Sequence, residues 1–193
     1  WDLAYKKIGN CNMVIDAEKN VTCDNDGDRA LLRHVMGETH YLRATYYFTL
    51  VNLYGKPYAP ATASATPGVP IKTSANVEDK DYVRASVAEV YDQITADLDE
   101  AENDLEDVTA PQTVYHVGIE AVYVFRSRVE LFMQNWQKAA DYAKLALEQD
   151  SYLQNLVGWK TGYPISSDNK EVVYSNGASC FGNIVFPYPG RKN

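Results

Sequence analysis

The 193-residue sequence is poor in the residues that announce chemistry: three histidines, three cysteines and only 18 basic residues against 26 acidic. Cys11, Cys23 and Cys180 make an odd count with no CxxC pair, so they specify neither a zinc site nor a disulfide framework, and a single bridge between Cys11 and Cys23 stays open. The net charge of −8 would repel a phosphate backbone, which leaves no nucleic-acid partner to expect. No apolar run approaches the roughly 20 residues of a membrane span. The opening residues Trp1-Asp2-Leu3 carry neither the basic nor the apolar region of a secretory leader, so a soluble chain, open to having been trimmed, is expected. There is no GxSxG, no Gly-rich phosphate loop after a strand and no HExxH. Carboxylates are plentiful, but no spacing singles out a catalytic pair, and an enzyme is the weaker reading.

What is present is helical periodicity. Leu3, Ile8, Cys11, Val14 and Ile15 mark one stripe over residues 3–17. A polar turn follows, and Asp28 is placed to cap a second helix whose apolar set (Leu31, Val35, Leu42, Tyr46 and Leu53, widened by Tyr47, Phe48, Leu50 and Val51) covers much of its circumference. Such a helix must pack on more than one side. Its end at Gly55, with Pro57 beyond, predicts a left-handed glycine stop. Residues 56–85, rich in Pro, Ala, Thr and Ser, are too long for a simple connection and are expected to be functional or disordered. Ser86-Val-Ala-Glu89 is a capping box opening a helix with Val87, Tyr91, Ile94, Leu98, Ala101 and Leu105 on one face. Its other face carries Glu89, Asp92, Asp97, Asp99, Glu100, Glu102, Asp104, Glu106 and Asp107 without a single Lys or Arg, and a solvated face is favoured over an acidic docking surface.

Two further helices, over residues 117–133 and 136–148, are expected to meet at a tight turn. In the second, Trp136, Ala139, Ala143 and Ala146 follow the logic of a tetratricopeptide-type hairpin, small residues admitting a neighbour while Trp136 fills the turn. From about Ser151 the composition shifts to Gly and Pro with two short apolar runs, EVVYS and NIVFP, that read as strands. The fold class is therefore all-α, tetratricopeptide-like hairpins with long loops and a short irregular or β-containing tail. Residues 1–150 form the helical domain and 151–193 a Gly/Pro-rich segment expected to continue into a longer polypeptide.

Tyrosine is the compositional excess, 15 against five Phe and three Trp. Tyr46, Tyr47 and Phe48 are consecutive and point about 100° apart, so they form core rather than a flat binding platform. His34 and His40, six apart on one helix, cannot share a metal without help from elsewhere. The run DNDGD clusters Asp24, Asp26 and Asp28 around a glycine as calcium loops do, but the twelfth position from Asp24 is Val35 rather than an acidic ligand. A polar turn that caps a helix is the stronger reading over a Ca2+ site.

The order of signals resembles a known family. GETHYLRATYYFTLVNLYGKPY is similar to the G-E-A-x-F-L-R-A-x-Y-Y-F-x-L-V-x-L-Y-G motif of SusD/RagB-type outer-membrane lipoproteins, through Gly37, Glu38, Leu42, Arg43, Ala44, Tyr46, Tyr47, Phe48, Leu50, Val51, Leu53, Tyr54 and Gly55. WDLAYKKIGNCNMVID is similar to the family's early helix through Trp1, Tyr5, Ile8, Asn12, Val14 and Ile15. GVPIKT, the helix from Arg84 to Ala101, and RVELFMQNWQKAADYAKLAL with Arg128, Trp136 and Ala139 agree with later blocks in order and separation.

The resemblance implies a non-catalytic glycan-binding lipoprotein on the extracellular face of a Bacteroidetes outer membrane. Such a protein delivers oligosaccharide or polysaccharide to a SusC-like TonB-dependent transporter and is attached to the membrane only through a lipid anchor. The family's lipidated cysteine and long C-terminal half have no counterpart here, and its motif positions are scaffold, so no binding residue carries over. Rings on irregular segments are the better glycan candidates, because one face can stay open to a pyranose: Tyr54 and Tyr58 beside the long loop, Trp159 and Tyr163 in the tail. The alternatives are a peptide-capturing relative of the same transporter complex and a generic tetratricopeptide scaffold.

Overall fold

The structure, a computed structural model, describes residues 1–76, 81–108, 113–153, 155, 157 and 169–175. Its described part is built from helices: α1 (Asp2–Ala17), a 3-10 turn (Glu18–Asn20), α2 (Asp26–Tyr54), α3 (Val87–Leu105), α4 (Ile119–Phe132) and α5 (Trp136–Gln149). α2 is the axis of the stack, packed by α1 on one side and α3 on the other, while α4 and α5 pair as a hairpin. This is the all-α architecture that the periodicity implies.

The α3 stripe is buried as expected, with Val87, Tyr91, Ile94, Leu98, Ala101 and Leu105 all at or below 1 % exposure. Ser86 accepts the Glu89 N–H while the Glu89 carboxylate accepts from the Ser86 N–H, which completes the capping box. Where α2 crosses α3, a Cβ on Gly37 would lie 2.5 Å from Leu105 Cγ, so the close approach requires glycine there.

Several local expectations are corrected. In α1 only Ile8, Cys11 and Asn12 are buried, and Leu3 and Val14 face outward, because α2 is the one long helix that α1 packs on and a narrower stripe suffices. The N-cap of α2 is Asn25, whose side chain accepts the Asp28 N–H, rather than Asp28 itself. Gly55 ends α2 in an extended conformation (φ −95°), and its role is steric: a Cβ there would meet the Val51 carbonyl at 2.6 Å. Cys11 and Cys23 are free thiols, Cys11 buried on the inner face of α1 and Cys23 in the turn beyond it. Trp136 is 64 % exposed and does not fill the α4–α5 turn. That turn is closed instead by Asn135, whose backbone and side chain both bond to Glu130, with Ala139 and Ala146 buried in the hairpin. EVVYS (171–175) forms no strand among the described residues, where the Val172 N–H donates to the Asn169 carbonyl and the Ser175 N–H to the Val114 carbonyl. NIVFP lies outside the described residues.

The acidic face of α3 is only partly solvated. Asp97 is buried, and Asp99 and Glu102 both bind Arg126 of α4 at 2.5 and 2.7 Å. Sequence inspection sees no cation on α3 itself, because the cations are supplied from α2 and α4.

The described residues of the segment after α2 are neither loose nor open. Residues 59–66 make helical turns, and residues 66–69 pair with 85–87 around an isolated bridge between Pro67 and Ser86. Arg84 binds the Gly68 carbonyl through Nε and the Tyr54 carbonyl through Nη2. Residues 70–74 then run as a strap across α1 and α2. Tyr5 donates to the Pro70 carbonyl at 2.7 Å, Asn12 donates to the Lys72 and Ser74 carbonyls, and Tyr47 both donates to the Lys72 carbonyl and accepts its N–H.

Candidate functional site

The helices leave three places where predicted site residues can be judged. Tyr54, the last residue of α2, is 47 % exposed, and its ring meets that of Trp1 edge-on at 4.9 Å, while the Tyr5 ring lies 5.1 Å from Trp1. Its backbone is fixed by Arg84, so the ring projects from an anchored helix end. Trp1 and Tyr54 present a tilted aromatic surface rather than one flat plane.

Tyr58 is only partly exposed: it packs at 5.0 Å against Tyr91 of α3, and its carbonyl accepts from Gln134. Its ring therefore supports the core more than it offers a face. Trp159 and Tyr163 lie outside the described residues.

The DNDGD turn is organised as a helix cap. Asp28 accepts from the Asp24 N–H and the Asn25 side chain, Asn25 caps α2, and Asp26 pairs with Arg29 at 3.1 Å. Among the described residues, the ligand atoms of three or more His, Cys, Asp or Glu side chains gather within 4.8 Å at one place, His34, Glu38 and His116, and Asp24, Asp26 and Asp28 are not part of it. From sequence, His34 pairs only with His40, six residues on, and the two cannot share a metal without help from elsewhere. The available signal was the four-residue step from His34 to Glu38, which stacks them on one face.

A further feature escaped the sequence. Tyr41, Phe125, Arg128, Glu171, Val173 and Tyr174 border a crevice of about 370 Å3, with Tyr41 edge-on to both Phe125 and Tyr174 at 5.5 Å. Reading residues 171–175 as a strand placed them in a tail, whereas they lie against α2 and α4. Burial pushes the Tyr41 and Tyr174 hydroxyls above the ordinary range, each reinforced by another nearby phenol.

The motif residues Arg43 and Tyr47 are scaffold. Arg43 makes a bidentate pair with Asp97 of α3 at 3.0 and 2.5 Å and donates to Asn12 of α1 at 2.8 Å, tying three helices together in the core. Glu38 accepts the Val117 N–H at 2.6 Å and so fixes the approach to α4.

Hairpins of antiparallel helices around a long central helix, strapped by a loop and closed by buried ion pairs, define the chain as a tetratricopeptide-like helical protein. The profile of the SusD-like_3 family, described as starch-binding associating with outer membrane, matches residues 1–131, and the chain belongs to that family. A SusD-like carbohydrate binding protein from Bacteroides vulgatus is 29 % identical with a TM-score of 0.75, covering 90 % of this chain and 36 % of its own. A SusD superfamily protein from Bacteroides thetaiotaomicron is 27 % identical with a TM-score of 0.70, covering 80 % and 33 %. SusD-like protein P38 of Formosa agariphila is 26 % identical over 165 residues, 83 % of this chain and 28 % of its own length. The chain thus spans about a third of the length of these relatives.

Proposed function

We propose that this chain is the helical part of a non-catalytic cell-surface protein that binds glycan and delivers oligosaccharide to a TonB-dependent outer-membrane transporter. The observation that carries the reading is the match over residues 1–131 to a family described as starch-binding and associating with the outer membrane. The Bacteroides vulgatus relative named as carbohydrate binding supports it through both sequence and fold. Among the described residues no helix is long and apolar enough to cross a membrane, and we assign attachment at the extracellular face to a lipid anchor.

The ligand surface we favour is the aromatic pair at the end of α2. A pyranose can lay its axial C–H groups on the half-exposed Tyr54 ring, while the Arg84 bond to the Tyr54 carbonyl keeps that ring in place. The test is affinity electrophoresis of the intact protein in gels containing starch and other polysaccharides. Retardation of the parent, weakened in Tyr54→Ala with its thermal midpoint retained, supports the reading. Free migration in every polysaccharide gel, together with capture of peptides, would sink it. Co-purification of a β-barrel transporter from detergent-solubilised outer membranes tests the delivery step, and its absence from stringent pull-downs would remove that step.

A further inference from the structure

We propose that His34, Glu38 and His116 form a binding site for a divalent cation of the Zn2+ class, a site distinct from any glycan surface. His34 and Glu38 stand four residues apart on α2 and therefore share one face, and His116 reaches them from the turn that precedes α4. Glu38 Oε1 and Oε2 lie 3.1 and 3.3 Å from His116 Nδ1, and Oε2 lies 3.7 Å from His34 Nδ1. A tetrahedral Zn2+ with bonds of 2.0–2.1 Å holds its ligand atoms about 3.3 Å apart, so the two carboxylate–imidazole separations need to change by only a few tenths of an ångström, and all three ligand atoms lie within 4.8 Å of one another.

The surroundings fit a metal better than they fit an ordinary ion pair. The His34 side chain is 5 % exposed, and its Nδ1, the ring nitrogen that faces the cluster, stands 3.7 Å from Glu38 Oε2, beyond hydrogen-bond reach, a gap that a bound ion would bridge. The carboxylate is already aimed by an outer contact, since Glu38 Oε1 accepts the Val117 N–H at 2.6 Å, as second-shell groups do for metal-bound carboxylates. A carboxylate oxygen has lone pairs enough to take both. His116 is 45 % exposed and gives the ion a route from solvent, leaving a fourth position for water. Two imidazoles with one carboxylate select a borderline ion over Ca2+ or Mg2+, which favour all-oxygen shells. His40 plays no part, because it faces the buried Asp97 at 3.5 Å.

Bound there, the ion would clamp α2 to the start of α4, joining the first three helices to the α4–α5 hairpin. The experiment is calorimetric titration of the chelator-stripped intact protein with ZnCl2, paired with visible spectra on adding Co2+. The expected result is one ion per chain, tetrahedral-type Co2+ absorption, no displacement by excess Ca2+, and at least a tenfold weaker affinity in His116→Ala. Because His116 is half-exposed, that variant should fold even if Glu38→Gln does not. Absence of Zn2+ binding by the parent, unchanged affinity in His116→Ala, or displacement by equimolar Ca2+ would each overturn the site. Since no carbohydrate enters the measurement, its outcome is independent of the glycan reading.

Discussion

Arg43 shows how one side chain can fix the relation of three helices. Its guanidinium is buried against Asp97, itself 2 % exposed at the side chain, and its third nitrogen, Nη1, reaches Asn12 of α1. A buried pair is weak evidence of net stabilisation, because both charges lose their hydration, but removing one partner leaves the other uncompensated. Gln93 supplies Asp97 with one hydrogen bond at 3.0 Å, too little to replace a bidentate cation. Arg43→Ala is therefore expected to lose about 3–5 kcal/mol of unfolding free energy. Urea melts read this directly, and a loss below about 1 kcal/mol would show that water or another residue repairs the site. In Arg43→Ala the nearby Cys11 would feel the change too. Burial pushes its thiol up to about 11 while Arg43 opposes the rise, so losing the guanidinium should make Cys11 still slower to react with thiol reagents.

The strap is the element whose sequence most misleads. The segment that carries it, residues 56–85, is rich in Pro, Ala, Thr and Ser and reads as functional or disordered, yet Pro70, Lys72 and Ser74 place backbone groups on tyrosine and asparagine side chains of α1 and α2. Tyr47→Phe keeps the ring and leaves the Lys72 N–H without its partner, while the Lys72 carbonyl keeps only its bond from Asn12. The expected cost is about 1–3 kcal/mol, with faster amide exchange confined to residues near 70–74. Exchange spread evenly over the helices would instead mean that Tyr47 acts through the core alone. The helices themselves were legible in the sequence because apolar spacing and the Ser86–Glu89 box are local signals, and every stripe position expected on α3 is buried, with Val90 and Asp97 added to them. What was not legible depended on partners far along the chain. Arg126 reaches the acids of α3 from α4, His116 reaches Glu38 across 78 residues, and the strap finds Tyr47 from 25 residues away. Of the aromatic candidates, Tyr54 stands exposed where an irregular segment begins, whereas Tyr58 looked equally open only because its contact with Tyr91 cannot be read from local composition.

Across the whole molecule, the tyrosine excess makes the fold sensitive to alkali. Burial raises the Tyr47 hydroxyl to about 12, and burial likewise raises Tyr5, Tyr41, Tyr46, Tyr91 and Tyr174. A phenol in the unfolded chain ionises near 10. The folded state therefore holds protons that the unfolded state releases, so the contribution of these groups is fully present below about pH 10 and is lost as pH rises through about 12 for Tyr47. Lysines deprotonate over the same range, and with a net charge of −8 their loss also weakens the fold, so an alkaline decline alone does not identify the tyrosines. The Tyr47→Phe variant separates the two causes. It removes one linked proton and should flatten the decline in stability between pH 10 and 12 by up to about 1.4 kcal/mol per pH unit, while the lysine contribution is untouched. Urea midpoints of parent and variant at several pH values, read beside tyrosinate absorbance, measure that difference. Parallel curves would mean that Tyr47 is already ionising in the folded state and that its bonds to Lys72 yield to hydroxide before the helices do.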